Sequence, residues 1–233
     1  MANRQARISA GRGVTEPSLL QNFARESYFV GNPDLRPEKT TSYEAGLVQE
    51  WFGRRARTEM NWFYNSFQDL ISFVSLPPPV WGSWRNVDKS RARGLEFSGR
   101  ARIAKLVTFN GAYTRLWTRI IHSGAPDHPF TGIGQELGRR QAHSGTVSVS
   151  LTPRRWWFQA GAILVGERQD YDYNLGVTRN SGYQNVYAAG SLRLTGHFTP
   201  FLRVDNLLNA RYQEVLGYSN WSRGIRGGIR LEW

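Results

Sequence analysis

Apolar and polar residues alternate at every second position through most of this chain, in runs broken by clusters rich in glycine, proline, asparagine and aspartate. A period of two marks a strand with one apolar and one polar face. About ten strands follow from it. The first, Arg4 to Ala10, is short, with Ala6, Ile8 and Ala10 on one face. A connection from Gly11 to Lys39 contains Thr15, Glu16 and Pro17, which introduce a brief helical turn through Ser18, Leu19 and Leu20. The second strand, Thr41 to Phe52, turns at Gly53-Arg54 into the third, Arg57 to Phe67, where Met60, Trp62 and Tyr64 alternate with Glu59, Asn61 and Asn65.

Residues Gln68 to Ser83 form another connection, in which Pro77, Pro78 and Pro79 exclude interior pairing while Leu70 to Val74 can prolong a strand. The fourth strand, Trp84 to Ile103, sets Leu95, Phe97, Gly99, Ala101 and Ile103 against Glu96, Ser98, Arg100 and Arg102. After Ala104-Lys105 the fifth sets Val107, Phe109, Gly111 and Tyr113 against Thr108, Asn110, Ala112 and Thr114, and a polar loop runs from Ile121 to Arg140. The sixth has Val147, Val149 and Leu151 on one face, and Pro153-Arg154 turns it into the seventh, Trp156 to Arg168. A loop from Gln169 to Gly182 leads to the eighth, Tyr183 to Leu194. A turn at Thr195 to His197 joins this to the ninth, Phe198 to Leu207, and the loop Leu208 to Ser222 precedes the tenth.

These connections alternate long and short. In an antiparallel meander that order puts every long loop on one side and every short turn on the other, as in outer-membrane barrels and unlike soluble sandwiches. The last strand agrees. Ile225, Gly227, Ile229, Leu231 and Trp233 share one face, and Arg226, Arg230 and Glu232 the other. An arginine facing lipid near the midplane costs about 2–4 kcal/mol, so the charged face is expected to line a lumen. On that argument Glu96, Arg100, Arg102, Arg226, Arg230 and Glu232 are lumen-facing. Trp51, Phe52, Trp156, Trp157 and Trp233 beside short turns or the terminus, and Trp117 toward a long loop, suit interfacial girdles.

Composition leaves this picture intact. With 233 residues, 40% hydrophobic, and a mean hydropathy of -0.50, the chain has no run approaching the roughly 18 apolar residues of a membrane helix. A barrel hides its apolar surface in alternation. Nine tryptophans, ten tyrosines and twelve phenylalanines make the chain aromatic-rich, and the absence of cysteine excludes disulfides and thiolate metal sites. The net charge of +12 invites a nucleic-acid partner, but the arginines are scattered rather than gathered into a stripe, which argues against one. The amino terminus, MANRQARISAG, lacks the apolar core of an export signal. The chain is therefore expected to be a piece of a longer one, if it is exported at all.

Three segments resemble one family. Gly31 to Gly46, GNPDLRPEKTTSYEAG, carries Asn32, Pro33, Leu35, Pro37 and Glu38 ahead of a strand with Tyr43, Glu44 and Gly46. Asn86 to Glu96, NVDKSRARGLE, carries Asn86, Gly94 and Glu96. Val204 to Trp233 carries Asn206, Leu207 and a terminal aromatic, Trp233. Together, in this order, they resemble the barrel of TonB-dependent outer-membrane receptors. The resemblance implies an antiparallel up-and-down transmembrane β-barrel, of which residues 1–233 are the carboxy-terminal portion, about the last ten of roughly 22 strands. It places the protein in the outer membrane of a Gram-negative bacterium. The family's plug domain and TonB box are not in this sequence.

It further implies TonB-coupled uptake of a large nutrient such as a ferric siderophore or cobalamin, with TonB engaged only through the amino-terminal part. Outer loops and lumen would contact the ligand. Trp81, Trp84, Arg85, Tyr171, Tyr173, Tyr218, Trp221 and Arg223 are the candidates, arginine suiting an anionic chelate, although girdle and loop packing is the plainer role for any single aromatic. Two alternatives stand beside this: a complete ten-stranded barrel, pore or adhesin, closed between its first and last strands, and a basic soluble binding protein. An open sheet would leave costly unpaired edges in lipid.

No enzymatic constellation is present. Gly132-Ile133-Gly134 lacks a third glycine and a following helix, and no serine sits in a nucleophile elbow. His122, Asp127 and His128 share a loop, but their irregular spacing fits a solvated segment better than a metal site, and His143 and His197 are isolated. No metal or cofactor is expected.

Overall fold

The computed structural model describes residues 3–75, 79–80, 82–172 and 174–233. Alternation becomes a single antiparallel meander of ten strands: β1 (Arg4–Thr15), β3 (Glu38–Trp51), β4 (Ala56–Ser75), β5 (Gly82–Ile103), β6 (Val107–His122), β7 (His143–Leu151), β8 (Trp156–Val165), β11 (Tyr183–Leu192), β12 (Phe198–Asp205) and β13 (Gly224–Leu231). Each pairs with the next in the chain. A two-residue strand, β2 (Phe29–Val30), runs parallel to the start of β5. β9 (Arg168–Asp172) and β10 (Gly176–Asn180) make a separate hairpin. The one helix among the described residues, α1 (Leu19–Phe23), is closed by a capping box, Ser18 and Gln21 each accepting the other's backbone N–H at 3.2 and 2.7 Å. Ser18 is thus its cap rather than part of its turn.

The strands exceed their sequence-based bounds where polar residues continue the ladder. β1 reaches Thr15 because Gly11, Arg12 and Gly13 pair with Ser42, Thr41 and Thr40, although neither face there is apolar. The third and fourth strands form a hairpin out to Ser75 and Gly82, so Gln68 to Ser83 is mostly paired and not a long loop. Pro77 and Pro78 lie outside the described residues. The ladder passes its irregular point through a bulge between Phe67 and Leu70, with Asp69 at a φ of 56°. Conversely, the seventh strand stops at Val165, and the expected loop Gln169 to Gly182 contains the β9–β10 hairpin.

The two faces are read from the register. Ala6, Leu47, Met60, Phe97 and Tyr113 are successive partners on one face, and Arg57, Arg100, Asn110 and Ser148 on the other. Glu96 pairs with Asn61 and Thr114, and Arg226 and Arg230 pair with Arg203 and Thr199, all on the polar face. Of the described apolar side chains only Val48 and Ile120 are buried, while Ile8 is 87% and Ile225 67% exposed. Among the described residues nothing covers so extensive an apolar face, as befits a sheet whose outer solvent is lipid. On β5 that face is apolar from Leu95 to Ile103, close to the span a tilted strand needs to cross the hydrocarbon. β1 and β13 do not pair with one another among the described residues. The ten-stranded closed barrel is therefore corrected: the sheet is open at both ends, and β1 is matched only to β3.

Candidate functional site

The first two motif segments are one physical unit. Asn32 Nδ2 donates to the Trp84 carbonyl at 2.9 Å, and Asn86, in β5, clamps Arg36: its Oδ1 accepts the Arg36 N–H at 2.7 Å and its Nδ2 donates to the Arg36 carbonyl at 2.8 Å. The same Nδ2 reaches the carbonyl of the bulged Asp69 at 2.7 Å, and Glu38 accepts the Ile71 N–H at 2.7 Å. Pro33 and Pro37 keep this stretch extended, with the Leu35 N–H turned back to the Asn32 carbonyl. Further along, Tyr43 faces outward and Glu44 inward, where it accepts from Ser9; Gly46 and Gly94 make room for the side chains of Asn61 and Phe63. These residues build the wall.

The third segment shapes a cavity. Asn206 is 3% exposed with a φ of 50°, which ends β12. Its N–H donates to Asn185, its Nδ2 to the carbonyls of Ala210 and Trp221, and its Oδ1 accepts the Ala210 N–H, so one side chain cinches the base of the 206–223 loop. The Leu207 N–H continues to the Val186 carbonyl. The loop folds back onto β11, where Tyr212 stacks on Tyr183 at 3.7 Å and accepts from Asn185, while the Tyr183 hydroxyl donates to Glu214.

Beneath it lies a cavity of about 1180 Å³, walled by Tyr218, Trp221, Arg223, Arg226, Asp205 and Arg139, among others. Tyr218 and Trp221 are 73% and 93% exposed. Arg203 and Arg226 face each other across β12 and β13, and Asp205 accepts from both, at 2.8 and 2.5 Å. Arg203 also lies 4.8 Å from the ring centre of Tyr187.

Asp170 ties the neighbouring loops to this one. Fully buried, it accepts from Arg139, from Asn180 Nδ2 and from the N–H groups of Tyr171 and Leu216. Burial by itself raises its pKa, but the Leu216 N–H, Arg139 and the Tyr171 N–H outweigh it, and the carboxyl sits below its ordinary value.

Of the residues expected at the ligand, the structure thus gathers Tyr218, Trp221 and Arg223. It places Trp84 elsewhere, in an aromatic trio with Phe29 and Phe73, each 5.2 Å away, with exposed Arg85 next to it. Tyr171 packs against His128 and Phe130. Trp81 and Tyr173 lie outside the described residues. His128 caps its own turn, its Nδ1 accepting the N–H groups of Phe130 and Thr131. His197 holds the chain end, its Nδ1–H donating to the Glu232 carbonyl at 2.7 Å; Trp233 beyond is fully exposed. Sequence reasoning missed Asp205, Tyr212, Glu214 and Arg139. Strand parity puts Asp205 beside Arg226; nothing local marks Arg139.

Comparison with known proteins decides the family. The family model described as TonB dependent receptor-like, beta-barrel matches residues 2–207. The chain belongs to that family. Members are receptors and transporters of the Gram-negative outer membrane rather than enzymes, which excludes the soluble alternative. The chain is 24% identical to the vitamin B12 transporter BtuB of Photobacterium profundum over 88% of its length, and 26% identical to that of Vibrio cholerae over 91%. Those matches cover 31% and 32% of the relatives, so this TonB-dependent receptor segment spans about a third of their length. Its fold matches the ferric-catecholate import receptor Fiu of Escherichia coli K12 with a TM-score of 0.75 at 20% identity, over 98% of this chain and 33% of the other. The ferric enterobactin receptor PfeA of Pseudomonas aeruginosa gives 0.77 at 16%, over 98% and 38%.

Proposed function

We propose that these residues form wall, outer loops and part of the ligand vestibule of a receptor that takes up a large nutrient, a ferric siderophore or cobalamin, by TonB-coupled transport. The observation that carries this reading is the cavity beneath the 206–223 loop. Tyr218 and Trp221 offer exposed rings for an apolar or conjugated ligand surface, and Arg223, without a carboxylate partner among the described residues, offers a free cation. The Asp205-bridged arginine pair lies below them toward the lumen. Relatives named for vitamin B12 and for ferric chelates support the nutrient class. A plug and a TonB-engaging box elsewhere in the full receptor would open the path when an energised inner-membrane partner pulls.

The test is titration of the intact protein with cyanocobalamin and with a ferric catecholate, followed by tryptophan fluorescence. One ligand should saturate, and Trp221→Ala and Arg223→Gln should each weaken it about tenfold, the loss of one good contact of about 1.4 kcal/mol. Saturation unaffected by either substitution would overturn the assignment.

A further inference from the structure

The apolar face does not fade into a neutral rim at the end that carries the long connections. On β5, the outward positions beyond Phe97 and Leu95 are Arg93 and Arg91; on β6, those beyond Tyr113 are Arg115, Trp117 and Arg119. The register sets Arg91 directly opposite Arg119, Arg93 opposite Trp117, and Arg115 opposite Leu95 and His143. Arg115 is held in place: its guanidinium lies 5.0 Å from the Trp117 ring centre and donates to His143 Nε2, leaving Nδ1–H of that ring to donate to the Tyr113 hydroxyl.

Like charges directly opposed across two strands repel. On the polar face the same conflict, Arg203 against Arg226, is resolved by Asp205 between them. Arg91 and Arg119 have no such carboxylate: among the described residues neither they nor Arg93 and Arg115 form an ion pair. Their neutralising anion has to come from outside the chain, and their position says from where. They face lipid, from the level of Leu95, where Arg115 sits, to four residues beyond it, where Arg91 and Arg119 pair, which spans the headgroup zone at the edge of the hydrocarbon. Arginine rather than lysine at every one of these positions suits phosphate, whose oxygens the guanidinium fork engages two at a time. Positions two apart on a strand and opposite one another across strands lie roughly 5–7 Å apart, close enough to share one phosphorylated headgroup.

We propose that Arg91, Arg93, Arg115 and Arg119 form an outward-facing site for the phosphorylated headgroup of an outer-leaflet lipid, whose acyl chains lie along Leu95, Phe97 and Trp62. Tyr64 and Ser66, paired with Arg93 and Arg91, add hydroxyl donors to the same face. The site is separate from the vestibule and does not depend on which nutrient is carried.

The experiment is native mass spectrometry of the intact detergent-purified protein incubated with bisphosphorylated lipid A, with enzymatically dephosphorylated lipid A, or with inorganic phosphate. Wild-type protein should retain the phosphorylated lipid at least tenfold better than the dephosphorylated one. R91Q/R119Q should lose that preference, R91K/R119K should keep part of it, and K105Q/R155Q, which removes two charges at the opposite rim, should keep it all. Equal retention of both lipids by wild-type protein would overturn the proposal whether or not any variant folds. Displacement by millimolar inorganic phosphate, with no preference between lipids, would make this a free-anion site and overturn the lipid assignment. Unchanged retention by folded R91Q/R119Q would place the headgroup elsewhere.

Discussion

Asn86 holds Arg36 by both backbone polar groups, accepting its N–H at 2.7 Å and donating to its carbonyl at 2.8 Å, across 50 residues of sequence. Pro37 fixes Arg36 in an extended conformation that leaves both groups unpaired, and one carboxamide fits them. Asn86→Ala should therefore destabilise the protein by about 2 kcal/mol, from several lost hydrogen bonds that water replaces only in part. Asn86→Asp, which keeps the acceptor and loses the donor, should fall between. Thermal unfolding followed by heat-modifiable gel mobility checks both.

Tyr187 lies over Gly161. A Cβ at Gly161 would meet the Tyr187 hydroxyl at 2.6 Å, and also the Val147 carbonyl at 2.7 Å. Gly161→Val should cost about 1–3 kcal/mol through overpacking and push the ring away from Arg203. Tyr187→Ala in the same background should recover only the ring's share, because the backbone contact remains; the double-mutant cycle measures it.

Removing the bridge between Arg203 and Arg226 leaves two facing cations. Asp205→Asn should lower stability by about 1 kcal/mol, discounted because Arg226 is largely exposed, and the loss should shrink at high salt. A salt-independent loss would show that packing, not charge, is at stake.

The Asp170 carboxyl has a folded pKa below its unfolded value. The stability it confers is present above the ordinary aspartate value of about 3.9, and drains away as pH falls below that toward the folded value. Hydrogen-exchange protection at 138–140, 168–172, 174–180 and 213–217, corrected for the intrinsic rate, should fall together as the pH is lowered below about 4. In Asp170→Asn the step should vanish.

Strand number, order and face were legible because alternation is enforced by two different surroundings, lipid on one side and polar lumen on the other. Ile225, Ile229 and Leu231 against Arg226 and Arg230 need no further context. Strand ends were less so. The outer parts of β1, β4 and β5 carry hydrogen-bonded ladders without alternation, and the β9–β10 hairpin is set by polar pairs buried under loops. The site was half legible: Tyr218, Trp221 and Arg223 lie within six residues of chain, whereas Arg139 and Asp205 reach the same cavity from other elements. Trp84 is the contrasting case, an aromatic that the structure packs with Phe29 and Phe73 and not at this cavity. The arginines on β5 and β6 were hidden by the expectation that charge belongs on the lumenal face, which holds only at hydrocarbon depth.

The central claim is that these strands cross the outer membrane with every long connection outside. The 233 residues contain no cysteine, so once any cysteine in the rest of the receptor is replaced by serine, single cysteines placed here report on sides. In the intact receptor on whole cells, a membrane-impermeant maleimide should label Ala125→Cys, Asn174→Cys and Trp221→Cys, and should leave Gly53→Cys, Lys105→Cys and Gly196→Cys untouched until the outer membrane is permeabilised. Labelling of the short turns on intact cells, or equal labelling of both sets, would contradict the account.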